Sequence, residues 1–132
     1  MTLILPIESI REKDRPKVGG KAFALASLRK AGFNVPTALC VTSDAYDQYV
    51  SSTGIRERIL MEIHRKAFED MRWEEIWDAS LRIRNMFLTT PMPGALKDAL
   101  GDNIAKSFGE QPSAVRSSSP GEDSKKASFA GL

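Results

Sequence analysis

The sequence is poor in the residue types that mark several functional classes. It contains one cysteine, Cys40, and one histidine, His64, in 132 residues. One cysteine cannot form a disulfide within the chain. The hydrophobic share of 42% is large enough to build a core without disulfide or metal staples. We therefore expect an ordinary soluble domain, with Cys40 acting as a small hydrophobic residue inside it.

The chain also lacks long apolar runs and an excess of either charge. Nineteen basic residues face 17 acidic ones, and the Lys and Arg residues are spread along the chain, so nucleic acid is not an expected partner. No apolar run approaches the roughly 20 residues that cross a bilayer. The start, MTLILPIESIREKD, lacks the features of a secretory signal. We expect a cytoplasmic protein that does not bind a membrane.

The spacing of apolar residues predicts a helix-rich fold with a small sheet, of the α/β or α+β class. Residues 1–17 form a leading strand or arm, and strands are expected at 38–41 and 113–116. Helices are predicted from Gly20 to Ala31, after Ser43, from Ile55 to Ala67, from Trp73 to Leu88 and from Leu96 to Phe108. We assign all 132 residues to one domain.

Several side chains on these helices have a structural interpretation. Val18, Ala22, Leu25 and Leu28 form the predicted apolar face of the first long helix. Trp73 and Trp77 could stack on an adenine ring, but a tryptophan pair on one helix face is more often core, and we predict core. Glu62 and His64 belong to the solvated part of a charged helix.

The segment VGGKA is the first candidate for chemistry. Two glycines before a helix let the backbone approach a ligand, and the helix start with Lys21 favours an anion such as phosphate. The spacing is not that of a P-loop, and no Ser or Thr follows Lys21 to meet a metal. An isolated motif of this kind is more often a glycine turn before an amphipathic helix with an exposed lysine.

The segment SAVRSSSPGEDSKK is the second candidate. A strand ending in Arg116 would fix a planar guanidinium that can bind phosphate at two points. The serines and Gly121 add hydroxyl and backbone donors. The alternative is a structural ion pair between Arg116 and Glu122 or Asp123. Two adjacent carboxylates are a poor basis for a metal site, so we predict no metal ligands.

Together the two segments resemble a known family. GGKAFALASLRKAGFNVPTALCVTSDAY and AVRSSSPGEDSKKASFAGL are similar, in this order, to two signatures of the ATP-binding domain of phosphoenolpyruvate synthases and pyruvate phosphate dikinases. The resemblance spans residues 18–132. It implies the helix-rich first lobe of an ATP-grasp domain. The chain departs from the family pattern at Ala22, where Gly is common, and at Leu132, where Gln is frequent.

The resemblance also implies roles for individual residues. Lys21 and Arg116 would contact the ATP phosphates and neutralise charge during phosphoryl transfer. Ser128, Ala130 and Gly131 would belong to the loop that closes over the phosphates. In this family ATP, with magnesium, phosphorylates a histidine on a separate domain, which passes the group to pyruvate or another acceptor.

The parts that the family adds after SFAG are the second ATP-grasp lobe, with the magnesium ligands, and the phosphohistidine domain. No phosphohistidine motif is present in the sequence, so we expect the 132 residues alone to be catalytically incomplete. The alternatives are a stand-alone nucleotide-sensing or interaction domain and a relative that phosphorylates an antibiotic such as rifampin. The sequence does not separate these acceptors.

Overall fold

A computed structural model of the chain describes residues 1–121 and confirms the predicted helix-rich architecture. The described part has two short strands, β1 (Ile4–Pro6) and β2 (Leu39–Val41). It has five α-helices, which are α1 (Arg15–Lys30), α2 (Ser43–Ser52), α3 (Ile55–Ile63), α4 (Trp73–Thr89) and α5 (Gly94–Phe108). Short 3-10 turns lie at Ile7–Ser9, Glu12–Asp14 and Phe68–Asp70. No helix within residues 1–121 has the length and apolar composition of a membrane span.

The chain divides into two compact units. The first consists of Met1–Tyr46 and the chain from Asp98 onward, and the second is Asp47–Lys97. The divisions fall inside α2 and α5. Both predicted chemical segments, at residues 18–22 and from residue 113, belong to the first unit.

In the first unit, the predicted leading arm is a strand that pairs with β2. The two strands are antiparallel, with Leu5 opposite Cys40. The Thr42 side chain extends the pairing, because its hydroxyl donates to the carbonyl of Thr2 at 2.6 Å. The core beside this hairpin is built from Ile7, Ile10, Val18, Ala22, Ala26 and Cys40.

The buried face of α1 differs from the predicted one. Val18, Ala22 and Ala26 are buried at a spacing of four residues, whereas Leu25 and Leu28 are exposed. The small alanines let the helix approach the hairpin closely, so the larger leucines point away from the core.

Gly32 ends α1 as predicted, with a left-handed φ of 88°. Its N–H donates to the carbonyl of Arg29, and the N–H of Phe33 donates to the carbonyl of Leu28, both at 3.1 Å. These two bonds are those of a Schellman motif, which satisfies carbonyls that the last helical turn leaves without partners.

The second unit is organised around α3 and α4. Val50, Ile55 and Met86 form its buried cluster, against which Tyr49 and Phe87 pack with ring centroids 5.9 Å apart. The helix predicted to reach Ala67 ends at Ile63, and the chain makes the 3-10 turn Phe68–Asp70 before α4 begins.

Two predictions about side chains in this unit are wrong. Trp73 and Trp77 are 69% and 59% exposed and pack edge to face on each other, because the buried face of α4 carries Ala79 and Met86 instead. Glu62, predicted on the solvated face of its helix, is 6% exposed and accepts hydrogen bonds from Arg65 and Arg82. His64 is exposed as predicted.

Candidate functional site

The first predicted segment lies at a break in α1. Gly19 has φ 75° and ψ 169°, which is not helical, so regular helical geometry restarts after it. That backbone region is essentially limited to glycine. The N–H groups in the first turn of a helix lack partners within the helix itself. Lys21, half-buried, lies in this first turn.

Gly19 is also required by a close approach of the chain from residue 118. A Cβ atom at Gly19 would lie 2.6 Å from the Ser118 hydroxyl oxygen and 3.0 Å from main-chain atoms of Ser119. At such distances a neighbouring atom would have to move. Glycine is therefore needed here on two independent grounds, its dihedral angles and its lack of a side chain.

The second segment does not have the predicted secondary structure. Residues 113–116 form no strand, and Val115 is 98% exposed rather than buried. Ala114 and Val115 alone offer little apolar surface, and within residues 1–121 the one sheet consists of β1 and β2 only. A strand needs a partner for its backbone groups, which the described chain does not supply here. Arg116 is thus exposed on a loop.

The two segments nevertheless contact each other. The Lys21 ammonium group donates to the main-chain carbonyl of Ser117 at 3.4 Å, and Ser117 directly follows Arg116. The Ser118 hydroxyl donates to the carbonyl of Val18 at 2.9 Å. The structure therefore brings the start of the Lys21 helix to the residues that follow Arg116, a separation of about 100 positions in sequence.

The Val18 carbonyl is held from a second side by Cys40. The Cys40 sulfur lies 3.6 Å from this oxygen and 3.6 Å from the Val41 carbonyl oxygen, so the one thiol proton has two acceptors at equal distance. Burial raises the pKa of this thiol, which keeps it protonated and able to donate. Cys40 is buried as predicted. Its contact with the break in α1 at residues 18–20, here called the glycine turn, was not predicted, because nothing in the local sequence indicates it.

Lys17 adds a further cation two positions before Gly19. Its ammonium group pairs with the Asp44 carboxylate at 2.8 Å, and Asp44 lies in the first turn of α2. The hydrogen bond from Lys17 lowers the pKa of Asp44, against an opposing effect of burial, and the Thr2 N–H at 3.3 Å lowers it further. Through Asp44, the Lys17 side chain is thus held near Thr2, which lies just before β1.

Several residues of the predicted site lie outside the part of the chain that the structure describes. They are Ser128, Ala130 and Gly131, predicted in a loop over the phosphates, and Glu122 and Asp123, the alternative partners of Arg116. Within residues 1–121, no group of three or more His, Cys, Asp and Glu side chains is arranged to hold a metal ion.

Comparison with known proteins gives a family match over most of the chain. Residues 15–132 match the family model described as "Pyruvate phosphate dikinase, AMP/ATP-binding domain". The chain is 41% identical to the phosphoenolpyruvate synthase of Aeropyrum pernix over 134 residues, which cover 98% of this chain and 16% of that protein.

The chain is also similar to a rifampicin phosphotransferase and to a second phosphoenolpyruvate synthase. The chain is 36% identical to the rifampicin phosphotransferase of Streptomyces sviceus, with 97% of this chain and 15% of that protein covered. It is 29% identical to the phosphoenolpyruvate synthase of Escherichia coli, with 98% and 17% covered. The chain thus spans only about a sixth of the length of these relatives.

Proposed function

The chain belongs to the pyruvate phosphate dikinase AMP/ATP-binding domain family, and on this premise we propose that it holds the phosphates of ATP for phosphoryl transfer to a histidine on a separate domain. The group then passes to pyruvate, as in a phosphoenolpyruvate synthase or pyruvate phosphate dikinase. The residues 1–132 are the first lobe of the ATP-binding domain in this proposal, with β1 and the turns that follow it as the leading arm.

One observation carries the proposal: the contact between the Lys21 ammonium group and the Ser117 carbonyl at 3.4 Å. It brings the helix start after Gly19 and the loop of Arg116 to one place within the first unit. A triphosphate needs several positive groups around it at once, and two segments that lie together supply them without a large rearrangement.

The chemistry asked of these residues is charge neutralisation and positioning. Lys21 would act as a mobile point charge, and Arg116 as a planar fork that can bind two oxygens of one phosphate. The N–H groups after Gly19 add fixed partial charges at the helix start. Phosphoryl transfer depends mainly on such positioning and electrostatic stabilisation, so no nucleophile from this chain is required.

The remaining parts come from outside the described residues. Ser128, Ala130 and Gly131 would close over the phosphates. Magnesium, when bound to ATP, would neutralise further phosphate charge, and the family resemblance implies that its ligands lie in a second ATP-grasp lobe. That lobe and a phosphohistidine domain are the proposed partners, in the cytoplasm.

A second acceptor is favoured by a specific observation. The identity to a rifampicin phosphotransferase is 36%, close to the 41% of the phosphoenolpyruvate synthase match. The phosphate-binding segments would therefore serve equally well in a protein that transfers the group to an antibiotic. The first-lobe function is the same in both cases, and only the acceptor differs.

Binding is tested by titrating the isotope-labelled chain with ATP and following its amide signals by NMR. We expect weak, saturable binding that shifts the signals of residues 19–22 and 116–119. Lys21→Ala and Arg116→Ala should each weaken binding by about 30-fold, or about 2 kcal/mol. Lys106→Ala and Arg84→Ala, at exposed positions of α5 and α4, are the controls. Shifts confined to other residues, or unchanged affinity in both variants, would reject the assignment.

Phosphoryl transfer is tested in a chimaera. The chain replaces the matching segment of the Aeropyrum pernix phosphoenolpyruvate synthase, and a second chimaera uses the Streptomyces sviceus rifampicin phosphotransferase. We expect ATP-dependent activity in at least one chimaera and its loss in the Lys21→Ala and Arg116→Ala versions. A domain that senses nucleotide without catalysis would bind ATP yet support activity in neither.

A further inference from the structure

The Val18 carbonyl is the point at which the two segments of the site are joined. It accepts the Ser118 hydroxyl at 2.9 Å, and its oxygen lies 3.6 Å from the Cys40 sulfur. Since Val18 is buried and its peptide group leads directly into Gly19, these contacts fix the orientation of the turn that precedes Lys21.

Of the two hydrogen bonds between the segments that involve only residues 1–121, the one made by Ser118 has the better geometry. Its 2.9 Å length lies in the usual range, whereas the 3.4 Å contact of Lys21 with the Ser117 carbonyl is long. The Ser118 bond is also partly buried, and the Lys21 contact is exposed. The lysine contact is therefore the weaker of the two.

The packing around Ser118 is tight. Gly19 leaves room for the Ser118 hydroxyl, which occupies a position only 2.6 Å from where a Cβ would stand, with the Ser119 main chain at 3.0 Å. This close approach shows that residues 118 and 119 pack directly against Gly19. Glycine and serine are complementary at this contact, although they are separated by about 100 residues.

We propose that Ser118 is a positioning residue whose hydroxyl, bound to the Val18 carbonyl, holds residues 117–119 against the glycine turn and keeps Arg116 beside Lys21. The Ser118 bond then keeps the two segments joined when the Lys21 side chain contacts a phosphate. This role rests on the proposed function for what the two cations bind, but the Ser118 contact is measurable without ATP.

The test compares Ser118→Ala with Ser118→Thr, which keeps the hydroxyl. Ser113→Ala is the matched control, since the Ser113 hydroxyl donates locally, to the Gln111 carbonyl at 3.3 Å. In the isotope-labelled chain, Ser118→Ala should shift the amide signals of residues 18–21 before any ATP is added. It should also weaken ATP binding by up to about fivefold, because residues 117–119 are then not held in place before ATP binds, and it should lower the thermal unfolding midpoint by only a few degrees. Ser118→Thr should restore both properties, and Ser113→Ala should leave both unchanged.

Signals of residues 18–21 that stay in place in Ser118→Ala would overturn the inference, as would wild-type ATP affinity in that variant. A loss of affinity matched by an equal loss in Ser113→Ala would also overturn it. If the wild-type chain bound no ATP and supported no activity in either chimaera, the proposed function would fall, and the contact would still be decided by the amide signals alone.

Discussion

The Arg82 guanidinium group donates from Nε to the Glu62 carboxylate at 2.9 Å, and so joins α4 to α3 in the second unit. Glu62 is only 6% exposed. Arg65, three positions further along the chain, donates to the other carboxylate oxygen at 3.1 Å. A carboxylate that is nearly out of contact with water depends on such partners, because an unpaired buried charge is costly.

We predict that Glu62→Ala destabilises the second unit by about 2 kcal/mol, since it leaves two arginines without their partner and opens space between the helices. Glu62→Gln should lower the free energy of unfolding by only about 1 kcal/mol, because glutamine keeps the shape of the side chain and one hydrogen-bond acceptor. Urea unfolding measures both. Glu57→Gln, at an exposed site on the same helix, should change stability by less than about 0.5 kcal/mol. Equal values for the Glu57 and Glu62 variants would show that the two ion pairs of the buried Glu62 carboxylate contribute nothing to stability.

Gly19 and Gly32, two of the three glycines with positive φ in the described part of the first unit, separate two causes of glycine preference. Gly19 and Gly32 have φ of 75° and 88°, but a Cβ atom would meet neighbours within 4 Å only at Gly19. Gly32→Ala should therefore lower the free energy of unfolding by only about 1 kcal/mol, which is the strain of a left-handed backbone conformation in alanine. Gly19→Ala should cost about 3 kcal/mol, since strain and a clash with the Ser119 main chain combine. Urea unfolding followed by far-UV circular dichroism gives both values, and similar costs would mean that the loop at Ser119 does not press on the glycine turn.

Local signals predict the helices well because their ends depend on neighbouring residues. Gly32 terminates α1, and α4 begins at Trp73 as expected. Which face of a helix is buried depends instead on what packs against it. For that reason Leu25 and Trp77, both large and apolar, are predicted inside and found exposed.

The same distinction applies to the site. The apolar pair Ala114 and Val115 favours a strand, but a strand forms only with a partner, and none is present for it within residues 1–121. The motifs point to Lys21 and Arg116 as candidates, and the resemblance suggests a shared ligand. The bond between Ser118 and Val18 joins residues about 100 positions apart, and no local pattern encodes such a contact.

Asp44 should contribute a pH-dependent part of the stability of the first unit. Its hydrogen bond with Lys17 holds its pKa below the ordinary value of 3.8. The ionised carboxylate therefore stabilises the fold above about pH 4, and this contribution is lost as the pH falls through the lowered pKa. Asp44→Asn should be less stable than the wild type at pH 6, and the difference should shrink toward pH 3. Asp102→Asn, at an exposed position of α5, is the control for loss of a surface carboxylate. A difference that stayed constant with pH would contradict the prediction.

The thiol of Cys40, the one cysteine in the chain, should react slowly with thiol reagents. Burial raises its pKa, so little thiolate is present near neutral pH, and thiolate is the reactive form. We expect slow reaction with Ellman's reagent at pH 8 in the native chain and rapid reaction in urea, where burial is lost. Because the Cys40 sulfur lies 3.6 Å from the Val18 carbonyl oxygen, forced alkylation should also shift the amide signals of residues 18–21, while alkylation of a cysteine placed at exposed Ser113 should not. Native Cys40 reacting as fast as a free cysteine would place the thiol at the surface and remove its contact with the glycine turn.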